Sequence, residues 1–79
     1  NRELVPAIQS FKSRLEFLQQ HELNNLRKDN IEVSENEIML TNKLMQKITN
    51  QFASFLIENR DDSKETIELI EKMFHLKQA

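Results

Sequence analysis

The 79-residue chain contains no glycine and only one proline, and this gap in its composition is its strongest structural constraint. Glycine and proline mark tight turns, hairpins and the loops that hold phosphate groups. A chain without them has few tight turns, yet 38% of these residues are apolar and need burial. The composition therefore predicts an all-α fold made of long helices.

Length and cysteine content limit how stable such a fold can be on its own. The chain is long enough for one domain, 1–79, and it has no cysteine with which to form a disulfide. Even a domain of about 60 residues buries only roughly 60% of its unfolded surface. We therefore expect a partner chain or a parent protein to supply part of the stability. The first residue is Asn rather than Met, so we expect a piece of a larger protein.

Charge and hydropathy exclude several classes of partner. The formal net charge is −2, and acidic and basic residues are mixed along the chain, which makes no general case for nucleic acid or an anionic membrane. No apolar run approaches the roughly 20 residues of a membrane span. With no signal peptide and no secretory cysteine pattern, we expect a cytoplasmic protein without a membrane partner.

The first helix is predicted over about residues 5–28. Its apolar residues recur every three or four positions, at Leu4, Ile8, Phe11, Leu15 and Leu18. The stripe then shifts to Leu23 and Leu26, because Glu22 occupies the next expected position. Pro6 fits the first helical turn, where its missing N–H has no consequence.

The second helix is predicted over about residues 35–59. Ser34 and Glu37 have the spacing of a capping box, and Val33 and Ile38 occupy the positions of a hydrophobic staple. Its apolar stripe is Ile38, Met45, Ile48, Phe52 and Phe55, widened by Leu40, Leu44 and Leu56. This apolar face is broader than a single neighbouring helix needs.

The third helix is predicted over about residues 63–77, with Asp62 and Glu65 repeating the capping-box spacing. Together the segments predict an antiparallel three-helix arrangement, long, long and short, that forms a helical homodimer. The candidates for the dimer interface or the core are Ile8, Phe11, Leu15, Leu18, Leu44, Met45, Ile48, Phe52, Phe55 and Leu56.

Residues that could carry chemistry have simpler structural interpretations. His21 and His75 are the only histidines, and without cysteine they do not make up the four ligands of a zinc site. His75 is expected in the last helical turn, where a cation complements the helix dipole. The pair Asp61 and Asp62 could suggest acid–base catalysis, but Asp62 is better explained as a helix cap. We predict no catalytic, cofactor-binding or metal-binding residue in this chain.

Basic and aromatic side chains on the first helix are candidates for a second contact surface. Lys12, Arg14, Arg27 and Lys28 could contact a polyanion. However, positions 12 and 14 do not share a helical face, and acidic residues interleave with the basic ones, so a solvated surface is favoured. Phe17 lies off the main apolar stripe, and among the phenylalanines it most suggests a further contact.

Five segments along the chain carry a family resemblance: residues 4–8 (LVPAI), 21–28 (HELNNLRK), 34–37 (SENE), 47–52 (KITNQF) and 69–76 (LIEKMFHL). In this order they resemble the C-terminal dimerisation domain of glutamyl-tRNA reductase. The resemblance includes Phe11, Arg14 and Glu16, and covers nearly the whole chain. It departs from the family after position 50, where Gln51 replaces the usual lysine and no proline follows.

The resemblance implies a parent enzyme that reduces glutamyl-tRNA to glutamate-1-semialdehyde with NADPH, the first committed step of tetrapyrrole (porphyrin) biosynthesis. In that family a cysteine nucleophile and the NADPH site lie in two other domains, and a helical domain joins two subunits in a V. This chain would be only that last piece. One alternative is a free-standing helical adaptor that binds another protein. Another is a small domain that contacts tRNA through the basic residues of the first helix.

Overall fold

Three α-helices account for most of the chain. A computed structural model describes residues 4–76, in which α1 spans Leu4–Lys28, α2 spans Glu35–Glu58 and α3 spans Ser63–Phe74. A 3₁₀ turn, Arg60–Asp62, leads into α3. The predicted all-α fold is confirmed, with two long helices followed by a short one.

At the C-terminal end of α1, Asn30 occupies the left-handed position that is most often glycine. The Ile31 N–H donates to the Leu26 carbonyl at 2.9 Å, and the Asn30 N–H donates to the Arg27 carbonyl at 3.0 Å. This pair of bonds is a Schellman motif, which needs a left-handed residue, and Asn30 has φ 59°. Asparagine enters this region more easily than most residues, so the glycine-free chain can still end a helix sharply.

The start of α2 has the predicted capping box. The Glu37 N–H donates to the Ser34 hydroxyl oxygen at 3.1 Å, and the Ser34 N–H donates to a Glu37 carboxylate oxygen at 3.1 Å. Val33 and Ile38, the staple residues, are both half-buried and line the same concavity beside the connector. Local sequence alone therefore determines where α2 begins.

The predicted capping box at the start of α3 is wrong. The Asp62 side chain makes no capping hydrogen bond. Its backbone, at φ −109° and ψ 14°, closes the 3₁₀ turn, whereas Ser34 has the extended conformation of a capping residue at φ −76° and ψ 160°. The correct residue spacing is therefore present at Asp62 without the backbone geometry that makes it a cap.

At its far end, α3 stops at Phe74, earlier than predicted. His75 has φ 55°, and the Leu76 N–H donates back to the Glu71 carbonyl at 2.9 Å. This left-handed residue ends the helix in the same way as Asn30 ends α1. The predicted last residue, at position 77, lies outside the described residues.

The first two helices form an antiparallel hairpin, and α3 packs against it at one end. Phe11 of α1 contacts Phe52 of α2, with ring centroids 4.4 Å apart, and Phe74 of α3 in an edge-to-face pair at 5.0 Å. At the other end of the hairpin, the Gln19 amide donates to the Thr41 hydroxyl at 2.7 Å and to the Asn42 side chain at 2.8 Å. The apolar cluster beside this aromatic contact consists of Leu4, Ala7 and Leu56, with Ile8, Phe52 and Ile67 packed on it.

The molecule is elongated, and its core is small. It measures 47 × 21 × 16 Å, with a radius of gyration of 14.7 Å. A compact domain of this length would have a radius of gyration of roughly 12 Å. The accessible surface is 6502 Å², whereas a compact monomer of this mass exposes about 5,000 Å². A single chain thus leaves about 1,500 Å² more surface in water than a compact fold of its size.

Candidate dimer interface

A row of exposed apolar residues follows one side of α2. The row consists of Leu40, Leu44, Ile48 and Phe55, called here the α2 strip, and these side chains expose between 46% and 60% of their surface. On a helix with 3.6 residues per turn, the strip lies about 100° from Leu56, which is fully buried against α1. The strip is therefore a second apolar face of α2, separate from the one that holds the hairpin together.

α3 adds a second set of exposed apolar side chains. Leu69 and Met73, called here the α3 pair, are 59% and 62% exposed. Half-buried Ile70 and Phe74 face the core. Helical rotation from these two residues places the α3 pair on the flank of α3 that turns towards α2. The α2 strip and the α3 pair therefore border the same side of the molecule.

Leu18 extends this surface onto α1, because α3 is too short to cover it. Phe74, the last residue of α3, reaches the level of Phe11 on α1, two turns before Leu18. Leu18 is 39% exposed even though it belongs to the same stripe as the buried Phe11. We call the α2 strip, the α3 pair and Leu18 together the apolar surface.

The opposite flank of the hairpin is mainly polar. A groove between α1 and α2 is lined there by Lys12, Glu16, Asn42, Met45, Gln46, Thr49 and Asn50. The exposed apolar residues on this flank of α2, Met39 and Ile57, lie far apart along the helix. Single exposed apolar residues are normal on protein surfaces, whereas a contiguous apolar patch indicates an interaction site.

The size and composition of the apolar surface fit a contact between protein chains. A stable interface typically removes about 1,200–2,000 Å² of accessible surface from the two partners together. The elongated chain has ample surface for such a contact, and the α2 strip and the α3 pair supply six large apolar side chains to it. When two identical chains bind through the same patch, a two-fold axis relates them, and each residue of the patch is buried twice.

The ten residues selected from the sequence fall into three groups in the folded chain. Phe11 and Leu56 are buried. Ile8, Leu15, Met45 and Phe52 are half-buried within the hairpin. The other four, Leu18, Leu44, Ile48 and Phe55, are exposed and lie on the apolar surface. The fold thus brings these four to one side, and their role in dimerisation stays a prediction.

Sequence reasoning left several structural residues out of its candidate set. Leu40, Leu69 and Met73 belong to the apolar surface, and their hydrophobicity was the signal that could have found them. Ala7 and Ser63 are buried, at 8% and 3% exposure, although their small side chains give a weak hydrophobic signal. Small residues matter in these places because they let helices approach closely.

The residues considered for chemistry lie apart from one another. His21 stacks on Phe17, with centroids 6.4 Å apart, while His75 ends α3. Asp61 and Asp62 are exposed in the 3₁₀ turn. Across residues 4–76, no three histidine, aspartate or glutamate side chains come together in a way that could hold a metal ion. Over the same residues, no helix has the length and apolar character needed to cross a membrane.

Fold and surface define a small helical association domain, and comparison with known proteins gives its family. The family described as glutamyl-tRNAGlu reductase, dimerisation domain, matches residues 1–76. The chain belongs to this dimerisation-domain family, as the resemblance in its helices indicated. No solved structure matches the chain. Family membership does not favour the free-standing adaptor.

Two curated relatives show how much of a longer protein this domain represents. The glutamyl-tRNA reductase of Christiangramia forsetii is 30% identical over 79 residues, which cover 99% of this chain and 19% of that protein. The glutamyl-tRNA reductase of Flavobacterium psychrophilum is 33% identical over 76 residues, which cover 95% of this chain and 18% of that protein. The chain therefore spans about a fifth of the length of these relatives.

Proposed function

We propose that this domain joins two copies of a glutamyl-tRNA reductase through the apolar surface. The observation that carries the proposal is the α2 strip, four large apolar side chains in a row that the chain's own helices leave exposed. The family description as a dimerisation domain supports self-association rather than binding to an unrelated protein. The partner is then a second copy of the same chain, bound about a two-fold axis.

The activity proposed for the parent is reduction of glutamyl-tRNA to glutamate-1-semialdehyde with NADPH, in the cytoplasm. The family and both relatives support this assignment. The present 79 residues contain no cysteine to act as nucleophile and no glycine-rich loop to bind a dinucleotide. The domain therefore contributes neither a catalytic residue nor a cofactor or metal site, and the chemistry belongs to other domains.

The domain serves activity by holding the two catalytic arms in a fixed relation. Its α1–α2 hairpin is rigid where Phe11, Phe52 and Phe74 pack together, because three helices meet there. A contact through the α2 strip would fix the direction of each hairpin relative to its partner. Preorganised geometry of this kind reduces the entropy lost when a large substrate binds both arms.

Two isoleucines on opposite sides of α2 test the interface. Ile48 is 46% exposed on the α2 strip, and Ile57 is 51% exposed on the polar flank, nine residues further along the helix. We expect Ile48→Lys to weaken dimerisation at least 30-fold, since losses at interface hot spots exceed about 2 kcal/mol. Ile57→Lys should leave the dimer intact, because it adds the same charge outside the apolar surface.

Sedimentation and light scattering on the 79-residue chain provide the measurement, from micromolar to near-millimolar concentration. The unaltered chain and the Ile57 variant should dimerise over the same range, while the Ile48 variant remains monomeric and helical. A chain that stays monomeric throughout would refute the homodimer. An equal loss of dimer affinity in the Ile48 and Ile57 variants would show that the subunit contact does not depend on the α2 strip.

A further inference from the structure

Burial is concentrated at one end of the α1–α2 hairpin. The apolar cluster around Leu56 and the aromatic contact at Phe11 both lie at the end that α3 covers. The remainder, residues 15–48, is called here the connector half, because the turn between α1 and α2 lies at its tip. Within residues 15–48 only Leu23 is buried, at 8% exposure. The two ends of one hairpin therefore differ in how much apolar surface holds them together.

A polar contact links the two helices in the middle of the connector half. The Gln19 amide donates to the Thr41 hydroxyl at 2.7 Å and to the Asn42 side-chain oxygen at 2.8 Å. Both hydrogen bonds are exposed, so water competes for the same groups. Because of this competition, one such bond changes an opening equilibrium by only about 2- to 10-fold. A weak polar contact thus stands here in the place of an apolar core.

The helices of the connector half need tertiary packing to remain folded. Its two arms, residues 15–28 and 35–48, are each close to the roughly 12–15 residues below which an isolated helix is marginal in water. The α3 helix adds no packing there, because it ends at the level of Phe11. Regions with few buried apolar contacts and exposed hydrogen bonds open more readily than the rest of a protein.

We propose that the connector half opens as a separate unit in the single chain, and that binding of a second copy closes it. The closure rests on the proposed function. Leu18, Leu44 and Ile48 of the apolar surface lie in this half, so a partner chain that covers them adds the burial that α3 does not provide. Association selects the closed hairpin, since only this form presents these side chains on one side. The fraction of chains that are open therefore reduces dimer affinity.

Hydrogen exchange, resolved to peptides by mass spectrometry, measures the opening in the 79-residue chain at low micromolar concentration. Relative to their intrinsic rates, helical amides at residues 19–26 and 39–46 should exchange at least about 10-fold faster than those at residues 8–11 and 52–58. The latter two ranges belong to the end of the hairpin that α3 covers. One common opening constant for all four ranges would overturn the proposal, because the chain would then unfold only as a whole.

Two neighbouring glutamines test the polar link between the helices. Gln19→Ala removes the contact to α2, whereas Gln20→Ala makes the same change on an exposed side chain about 100° further around α1. Gln19→Ala should speed exchange in the connector half about 2- to 10-fold and leave the rates at residues 52–58 unchanged. The same increase at residues 52–58 would overturn the separate opening. An equal effect of Gln20→Ala would overturn the role given to the polar link.

Exchange at near-millimolar concentration keeps this proposal distinct from the proposed function. Association should slow exchange in the connector half at least about 10-fold in the unaltered chain and in Ile57→Lys, and exchange should stay fast in Ile48→Lys. A dimer whose connector half exchanges as fast as in the single chain would overturn the closure and leave dimerisation intact. A chain that never dimerises would refute the proposed function and the closure together, while the rates in the dilute chain would still decide whether this half opens separately.

Discussion

Alanine substitutions at one buried and one exposed phenylalanine can distinguish the stability that comes from the core of a single chain from the stability that comes from the contact between two chains. Phe11 is 4% exposed and touches an aromatic ring on each of the other two helices. Phe55 is 50% exposed and lies on the α2 strip. The same substitution to alanine therefore removes a core contact at position 11 and an exposed apolar side chain at position 55.

The expected loss at Phe11 is a large part of the total stability. Truncating a buried phenylalanine costs about 3–5 kcal/mol of the free energy of unfolding. The whole domain is stabilised by only about 4–12 kcal/mol, given its length. With a urea m-value of about 1–3 kcal/mol/M, Phe11→Ala should lower the unfolding midpoint by about 1 M or more. The centroid distances to Phe52 and Phe74, 4.4 and 5.0 Å, favour the upper part of this range.

Urea unfolding followed by circular dichroism, at low micromolar and at near-millimolar chain concentration, distinguishes the two positions. Dimerisation stabilises the folded chain by mass action, so it raises the midpoint only where the dimer is populated. Phe11→Ala should lower the midpoint at both concentrations, and Phe55→Ala only at the higher one. An unchanged midpoint for Phe11→Ala would refute the aromatic contact among three helices. An equal drop at both concentrations for Phe55→Ala would place Phe55 in the core of the single chain.

The helix ends give two further predictions, both read from thermal or urea unfolding. Ser34→Ala should lower the free energy of unfolding by about 0.5–2 kcal/mol, because it removes a side chain that caps α2. Asp62→Ala should change it by no more than about 0.5 kcal/mol, because Asp62 makes no capping bond. Equal losses of stability in the two variants would contradict this difference between the two helix starts. His75→Gly should raise stability by about 1 kcal/mol, since His75 occupies a left-handed conformation that glycine adopts without strain. The control His21→Gly, inside α1, should instead lower stability by about 0.5 kcal/mol, and a loss in both variants would show that position 75 gains nothing from glycine.

Local signals predicted much of the fold because they act within a few residues. The capping box at Ser34 and Glu37 needs only a hydroxyl, a carboxylate and an extended residue between coil and helix. Asp62 and Glu65 have the same spacing, but the preceding turn sets the backbone at Asp62 and removes the cap. Turn geometry depends on how two helices meet, and no rule based on spacing includes that information.

For a similar reason, the sequence did not predict which apolar residues lie in the core and which lie on the surface. Phe52 and Phe55 are three positions apart and equally hydrophobic, yet Phe52 packs on Phe11 while Phe55 is half exposed. The broad apolar stripe of α2 predicted that some residues would need a second partner. Which ones do so depends on where α3 lies, and that is a property of the tertiary structure.

The length of α3 decides which apolar residues remain uncovered. With 12 residues, α3 is about 18 Å long, half the length of α2 with its 24 residues. It ends at Phe74 because His75 turns the chain into the left-handed region, and nothing in the described chain then covers Leu18, Leu44 or Ile48. A longer third helix could extend along the hairpin and bury these side chains within one chain. The early end of α3 therefore leaves an apolar face that a second copy of the domain can cover.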